Sequence, residues 1–293
     1  VNTLASRIDP NEFPIRSIAV IGLGLLGGSV ARAIRHRDAD CEIRLIGYAR
    51  RKETRDFALE QGGFDAVTDD FLAAAKQTDL VVIATPVDRI AEYAVKIAAA
   101  CPHVLMTDVG STKFGIVESV GKNPEAAARF VAAHPIAGSE KTGIEHAHAN
   151  LFDGKPIVIT PSEKERPGAV DAVHRFWEST GGRVIRMTPR RHDDLLAMTS
   201  HMPHLMSALV AKQLPDEAIS MVGTGWLDTT RIAAGDEKLW TAIVSENRPA
   251  ILASLQSAAA DLTHLIDIVQ NADDESLHEY LRIARDKRTA IPS

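Results

Sequence analysis

Six residues near the start of the chain, Gly22-Leu23-Gly24-Leu25-Leu26-Gly27, have the spacing G-x-G-x-x-G and lie between an apolar run and a helical pattern. Ser17 to Gly22 (SIAVIG) predicts a buried strand, and Ser29 to Arg37 predicts a helix. In that context the first glycine permits a tight turn and the second lets backbone approach a pyrophosphate. The third lets helix and strand pack closely. The amides that open the helix then face the phosphates. Gly22, Gly24, Leu25, Leu26 and Gly27 are therefore expected to bind a dinucleotide.

The pattern continues as a doubly wound sheet should. Apolar runs at Glu42 to Tyr48, Asp79 to Thr85, His103 to Asp108, Phe130 to His134, Pro156 to Thr160 and Gly182 to Met187 predict further strands, with helical patterns between them such as Lys52 to Gln61. Near-continuous Val/Ile/Leu runs alternating with helices predict a parallel sheet covered on both faces. After Thr188 the strand pattern stops. Helices are expected over Pro189 to Leu214, Pro215 to Met221, Trp226 to Ala234, Glu237 to Val269 and Asp273 to Lys287. The expectation is α/β: a Rossmann domain over 1–188, then an all-helical substrate and dimerisation domain over 189–293. Broad apolar coverage of the long helical stretch points to a homodimer.

The net charge of -6 argues against a general nucleic-acid or membrane-surface role, where a basic excess would be expected. No apolar run reaches the ~20 residues needed to span a bilayer, and Val1 to Pro14 has no signal-peptide core. A cytoplasmic enzyme is expected. Cys41 and Cys101 have no disulfide or metal spacing and read as free thiols.

The second strand ends Tyr48-Ala49-Arg50-Arg51-Lys52, with no carboxylate to receive a ribose 2'-hydroxyl. Arginine can pair with a 2'-phosphate, so Arg50 and Arg51 favour NADP over NAD. Thr85-Pro86, after a later strand, belongs on the nicotinamide side of the crevice, with Pro86 also starting the next helix.

Two more strand ends carry polar clusters, Asp108 to Lys113 and His134 to Glu140. Ligands of open α/β sheets bind beyond the carboxyl ends of strands, so a histidine at this place, before a long glycine-containing loop, reads as functional. His192, His201 and His204 suggest zinc, but no cysteine or Glu-x-x-His supports it, and no metal is expected. Glu140 and Lys113 read equally as pocket residues or as a structural pair. Trp177, Trp226 and Phe176 read as core or interface.

With GLGLLGGS (Gly22 to Ser29), DVGSTK (Asp108 to Lys113), HPIAGSEKTG (His134 to Gly143), SHMPH (Ser200 to His204) and DTTRIAAGDEKLW (Asp228 to Trp240) in this order, the chain resembles the prephenate and arogenate dehydrogenase family. The resemblance spans most of the chain. It implies a Rossmann domain followed by a helical dimerisation domain, and oxidative decarboxylation of prephenate to 4-hydroxyphenylpyruvate with NAD or NADP in tyrosine biosynthesis. It also implies that His134 is the catalytic histidine and that Ser111 orients it and touches the substrate hydroxyl. Arg231 would bind a substrate carboxylate, and His204 and Trp240 would line the substrate pocket.

Chemistry agrees with those roles. A base that takes the hydroxyl proton must be a neutral imidazole, and a guanidinium offers a carboxylate two parallel donors. Gly223-Thr224-Gly225-Trp226 holds no acid for the ammonium of arogenate, which favours prephenate. The alternatives are arogenate dehydrogenase, a β-hydroxyacid-type dehydrogenase, which usually carries a catalytic lysine on its helical domain, and a non-catalytic nucleotide sensor. The chain length predicts no separate regulatory domain and no fused mutase, so control by tyrosine would act at the active site.

Overall fold

The computed structural model describes residues 15–37, 43–138 and 141–291. Residues 1–14, Cys41, Glu42, Ser139 and Glu140 lie outside the described residues, so the expectations placed on them are not addressed. Packing divides the chain into two compact units, Val1–Asn247 and Arg248–Ser293.

The first unit is built on an eight-stranded sheet in the order β3-β2-β1-β4-β5-β6-β7-β8. The strands are β1 (Ser17–Ile21), β2 (Arg44–Tyr48), β3 (Ala66–Thr68), β4 (Leu80–Ile83), β5 (Leu105–Asp108), β6 (Phe130–Pro135), β7 (Pro156–Thr160) and β8 (Arg183–Arg186). Among them lie α1 (Leu25–Arg37), α2 (Lys52–Glu60), α3 (Phe71–Ala75), α4 (Ile90–Ala100), α5 (Phe114–Val120), α6 (Pro124–Ala127) and α7 (Ala169–Ser179). The first six strands run parallel. Strand order reverses between β1 and β4, which opens a crevice at their carboxyl ends.

Alternation within each strand feeds two cores. Ile18, Val20, Leu80 and Val82 pack on one face with Val30 and Ile34 of α1 and Phe176 and Trp177 of α7. Ala19, Ile21, Val81 and Ile83 pack on the other with Ile90, Ala94 and Ile97 of α4. Burying each such Ile, Leu or Val contributes roughly 1.5–3 kcal/mol. That reward on both faces is why these runs are apolar throughout rather than alternating. Cys101 is a buried free thiol.

The sheet is not parallel throughout. β7 pairs with β6 antiparallel, Ala132 opposite Thr160, and β8 follows β7 in parallel. A parallel step needs a crossover that returns the chain to the same end of the sheet, usually a helix. Between Pro135 and Pro156 the described chain has one 3-10 turn, Ile144–His146, and no helix. The chain therefore re-enters at the end where β6 leaves the sheet, and β7 runs back beside it.

The remaining helices of this unit are α8 (Pro189–Leu196), α9 (Met202–Lys212), α10 (Thr224–Thr230) and α11 (Glu237–Glu246). The helix expected over Pro189 to Leu214 is continuous but contains a π-helical turn, Ala197–His201. Pro203 explains it: proline has no N–H to donate back to Thr199, and its ring crowds that carbonyl. The segment expected to form one helix from Pro215 is a 3-10 turn, Asp216–Met221. The long helix expected over Glu237 to Val269 breaks at Asn247 (φ -115°, ψ 28°), just ahead of Pro249, which suits the first turn of a new helix.

The second unit is a helical pair, α12 (Arg248–Gln270) and α13 (Asp274–Thr289), in which Asp273 caps α13 by accepting the Ser276 N–H at 3.0 Å. It exposes Leu252, Leu262, Ile266, Val269, Leu281 and Ile283. Among the described residues no helix is long and apolar enough to cross a membrane.

Candidate active site

The glycine turn follows β1 and opens α1, as expected. Gly22 has φ +107°, and a Cβ there would stand 2.4 Å from the Ala84 carbonyl oxygen. The end of β1 thus touches the segment carrying Thr85 and Pro86. A Cβ on Gly27 would meet the Gly22 carbonyl oxygen at 2.0 Å, whereas one on Gly24 would meet nothing within 4 Å. Two glycines are needed to shape the turn, and the third leaves its surface open for a ligand to approach. Leu25 and Leu26 are half-buried in the first turn of α1, whose leading amides have no partners within the helix. These residues fit a dinucleotide pyrophosphate.

Gly22 N–H donates to the Tyr48 carbonyl at 3.0 Å, which brings the end of β2 to the same place. Arg50 and Arg51 follow, both exposed. Arg55 buttresses this corner by donating to the Ala49 and Arg50 carbonyls at 2.9 and 2.8 Å. Pro86 (φ -50°, ψ 145°) caps a 3-10 turn, Val87–Arg89, one residue ahead of the helical position expected for it.

His134 lies at the carboxyl end of β6, buried, with its Nδ1 2.8 Å from His192 Nε2. His192 Nδ1 in turn lies 2.7 Å from Asp193 Oδ1. Asp193 also accepts the backbone N–H of Lys113 at 2.8 Å and of Phe114 at 2.9 Å. It thereby caps α5, which has no acid of its own in its first turn. Thr188 starts α8 by accepting the Arg191 N–H at 3.2 Å, and Pro189 suits its first position. That start places His192 and Asp193 against the β5–α5 turn. Burial, with His192, Lys113 and His201 nearby, holds the His134 imidazole well below the usual histidine pKa. Burial lowers His192 as well. Both rings are neutral at neutral pH.

Lys113 forms a structural pair with Asp108, while Glu140, read with it in the sequence, lies outside the described residues. The Lys113 side chain is fully buried. Asp108 Oδ1 accepts the Ala133 N–H at 2.9 Å and Lys113 Nζ donates to the Ala133 carbonyl at 2.8 Å. The pair therefore fixes the backbone immediately before His134. Ser111 sits half-buried in the same turn. Among the described residues it makes no hydrogen bond to His134, whose Nδ1 is taken by His192.

A second cluster adjoins the first through Asn247. Its Nδ2 donates to the Asp193 carbonyl at 2.8 Å and faces His201 Nδ1 at 3.2 Å. His201 is the eighth residue after Asp193, which would leave the two side chains about 80° apart on a regular helix. The π turn takes up about one extra residue and closes most of that angle. Burial pushes the His201 pKa down to about 4. Trp240 contacts His201 edge-on and stacks on His204, with ring centroids 3.5 Å apart and planes 12° apart. Gly235 permits the stack, since a Cβ there would lie 2.7 Å from Trp240 Nε1. His204 Nδ1 is buried and has no hydrogen-bond partner among the described residues. Arg231 is exposed on the 3-10 turn Arg231–Ala234, which packs on α9.

The loop after His134 lies along α1. Arg32 donates to the Ala147 carbonyl, and the His148 N–H to Ser29 Oγ at 3.1 Å. A Cβ on Gly28 would meet Ala147 Cβ at 2.8 Å. Nothing in the sequence reading assigned a role to Gly28, Asp193 or Asn247, and His192 entered it as a weak zinc ligand. No group of three or more His, Cys, Asp and Glu among the described residues is arranged to hold a metal ion.

Two family models match consecutive parts of the chain: the nucleotide-binding domain of prephenate dehydrogenase over residues 30–186, and its dimerization domain over 188–283. The chain belongs to the prephenate dehydrogenase family. As a member of that family it is a nicotinamide-dependent oxidoreductase with a dimerisation domain. It is 33% identical to the cyclohexadienyl dehydrogenase of Zymomonas mobilis, over 94% of this chain and 96% of that one. Its fold matches the prephenate dehydrogenase of A. aeolicus in complex with hydroxyphenyl propionate and NAD+, with TM-score 0.88, 31% identity, and 95% and 99% of the two chains covered. It also matches the arogenate dehydrogenase of Synechocystis, with TM-score 0.79, 30% identity, and 94% and 99% covered.

Proposed function

We propose that this family member oxidises prephenate, with loss of carbon dioxide, to 4-hydroxyphenylpyruvate. The observation that carries the reading is His134: a buried imidazole, kept neutral, at a strand end beside the dinucleotide crevice. A neutral imidazole is the form that can take a hydroxyl proton.

When bound, the oxidised nicotinamide ring supplies the hydride acceptor. Gly22, Gly24, Leu25, Leu26 and Gly27 hold the pyrophosphate, with Thr85 and Pro86 at the nicotinamide side. Ser111 stands by the substrate hydroxyl. His134 accepts the hydroxyl proton and is itself oriented from behind. Arg231 pairs with a substrate carboxylate. The stacked His204 and Trp240 wall the pocket, and the unpartnered Nδ1 of His204 suits a polar group of the substrate. Release of carbon dioxide aromatises the ring, which makes the reaction downhill and leaves the protein mainly to orient charge.

Residues 189–293 form the substrate and dimerisation domain of the working enzyme. The exposed apolar side chains of α12 and α13 support a homodimer. A mass of one chain by light scattering at micromolar concentration contradicts this.

The cofactor is a nicotinamide adenine dinucleotide. Arg50 and Arg51 would suit a 2'-phosphate, but the A. aeolicus relative was solved with NAD+, which lends no support to NADP. One assay tests the whole reading: prephenate and arogenate, each with NAD and with NADP, followed at the nicotinamide absorbance band. Turnover of prephenate above arogenate is expected. Turnover of arogenate alone moves the substrate to the amino acid, and turnover of neither ends the reading.

A further inference from the structure

We propose that His192 and Asp193 fix the tautomer of His134, so that Nδ1 carries the proton and Nε2 is the atom that acts as base. This rests on His134 being the base and adds which nitrogen acts and what decides it.

An imidazole ring has one donor and one acceptor when neutral, and an ionised carboxylate only accepts. Both oxygens of Asp193 already receive fixed backbone donors, Oδ1 from Lys113 and Oδ2 from Phe114. The oxygen facing His192 Nδ1 at 2.7 Å therefore presents a lone pair, and Nδ1 donates to it. His192 Nε2 is left with a lone pair. At 2.8 Å it faces His134 Nδ1, so that nitrogen must carry its proton and donate. His134 Nε2 is then unprotonated. The opposite tautomer would set two lone pairs against each other inside a buried site, a cost comparable to a lost hydrogen bond or more.

The consequence is chemical. With Nε2 bare, the substrate O–H bond breaks and an N–H bond forms at Nε2, the electron pair staying on the substrate oxygen. The imidazolium so formed donates more strongly from Nδ1 to His192. With Nε2 protonated, His134 would offer the hydroxyl a donor and could not take its proton. His192 and Asp193 are positioning residues. Lys113, Asp108 and His201 are the other charged or titratable groups that face this pair.

Histidine tautomers are readable in the full chain by nitrogen-15 NMR at pH 7.5, without substrate or turnover. The expected spectrum shows His134 with Nδ1 protonated and Nε2 bare, and His192 with Nδ1 protonated. A wild-type His134 protonated on Nε2 overturns the proposal. His192→Phe removes the acceptor, and His192→Gln keeps an oxygen where Nε2 stood. His192→Phe should mix the His134 tautomers and lower kcat at least tenfold, with substrate KM and cofactor Kd within about threefold of wild type. His192→Gln should recover most of that loss. Equal losses in both variants, or wild-type kcat in His192→Phe, overturn the proposal. If His192→Phe does not fold, the NMR assignment and His192→Gln still decide. A wild-type enzyme inert toward every cyclohexadienyl acid defeats the functional reading while leaving the tautomer assignment measurable.

Discussion

Lys113 and Asp108 form a fully buried ion pair, and each also grips a backbone group of Ala133, the residue before His134. Burial lowers the lysine pKa and Asp108 opposes that shift. Breaking such a pair from one side leaves an uncompensated charge in the core, at a cost of about 3–5 kcal/mol. Lys113→Met should lower unfolding stability by that order in a urea titration. The double variant Asp108→Leu/Lys113→Met should be less destabilised than Lys113→Met alone. A single variant as stable as wild type would show that the pair does not hold this backbone.

Two positions of the glycine turn, Gly22 and Gly24, should separate folding from binding. Gly22→Ala places a Cβ against the Ala84 carbonyl at a positive φ, so it should lower Tm by several degrees. A Cβ on Gly24 meets no protein atom within 4 Å. Gly24→Ala should keep the wild-type Tm and raise the dinucleotide Kd at least tenfold by calorimetry, because the methyl group occupies the approach of the pyrophosphate. Unchanged affinity in Gly24→Ala would put the ligand elsewhere.

His134→Asn should reduce kcat roughly 100-fold or more and leave dinucleotide affinity unchanged. Near-normal turnover removes His134 from the base role. Because its pKa is depressed, activity should persist as pH falls below about 6.5. A kcat/KM profile that already bends above that value contradicts the neutral, buried base.

Acid should destabilise the fold through His201. Its folded pKa is about 4, below the unfolded value near 6.5. Between those pH values the unfolded chain binds the extra proton and the native protein does not, so stability falls as pH falls through that window. The full effect of this one group is about 3 kcal/mol. His201→Gln should flatten that part of the curve. An equal slope in the variant assigns the acid sensitivity to other groups.

Arg231→Lys keeps the charge but loses the planar fork that pairs with a carboxylate. It should raise substrate KM tenfold or more with little change in dinucleotide Kd. An unchanged KM takes Arg231 out of the substrate site.

The sheet and its glycine turn were legible because their causes are local. Gly22 must adopt a positive φ beside Ala84, and strands buried on both faces must be apolar at every position. The antiparallel β7 was not legible, because it depends on what the described residues between Pro135 and Pro156 do not form, and no single residue there announces a missing crossover helix. The π turn at Ala197–His201 and the break at Asn247 were available in principle from Pro203 and Pro249. They were lost in helical patterns strong enough to run through them.

By itself, then, the sequence determined the fold class, the glycine turn between β1 and α1 and the identity of His134 as the residue to examine, since each rests on short-range pattern. Tertiary structure alone decided its partners. His192 and Asp193 lie 58 and 59 residues beyond His134, and Asn247 lies further still. A hydrogen-bond chain across such separations exists only after the sheet and α8 have packed, because a few ångströms and an orientation make the bond, and neither is written in residue order.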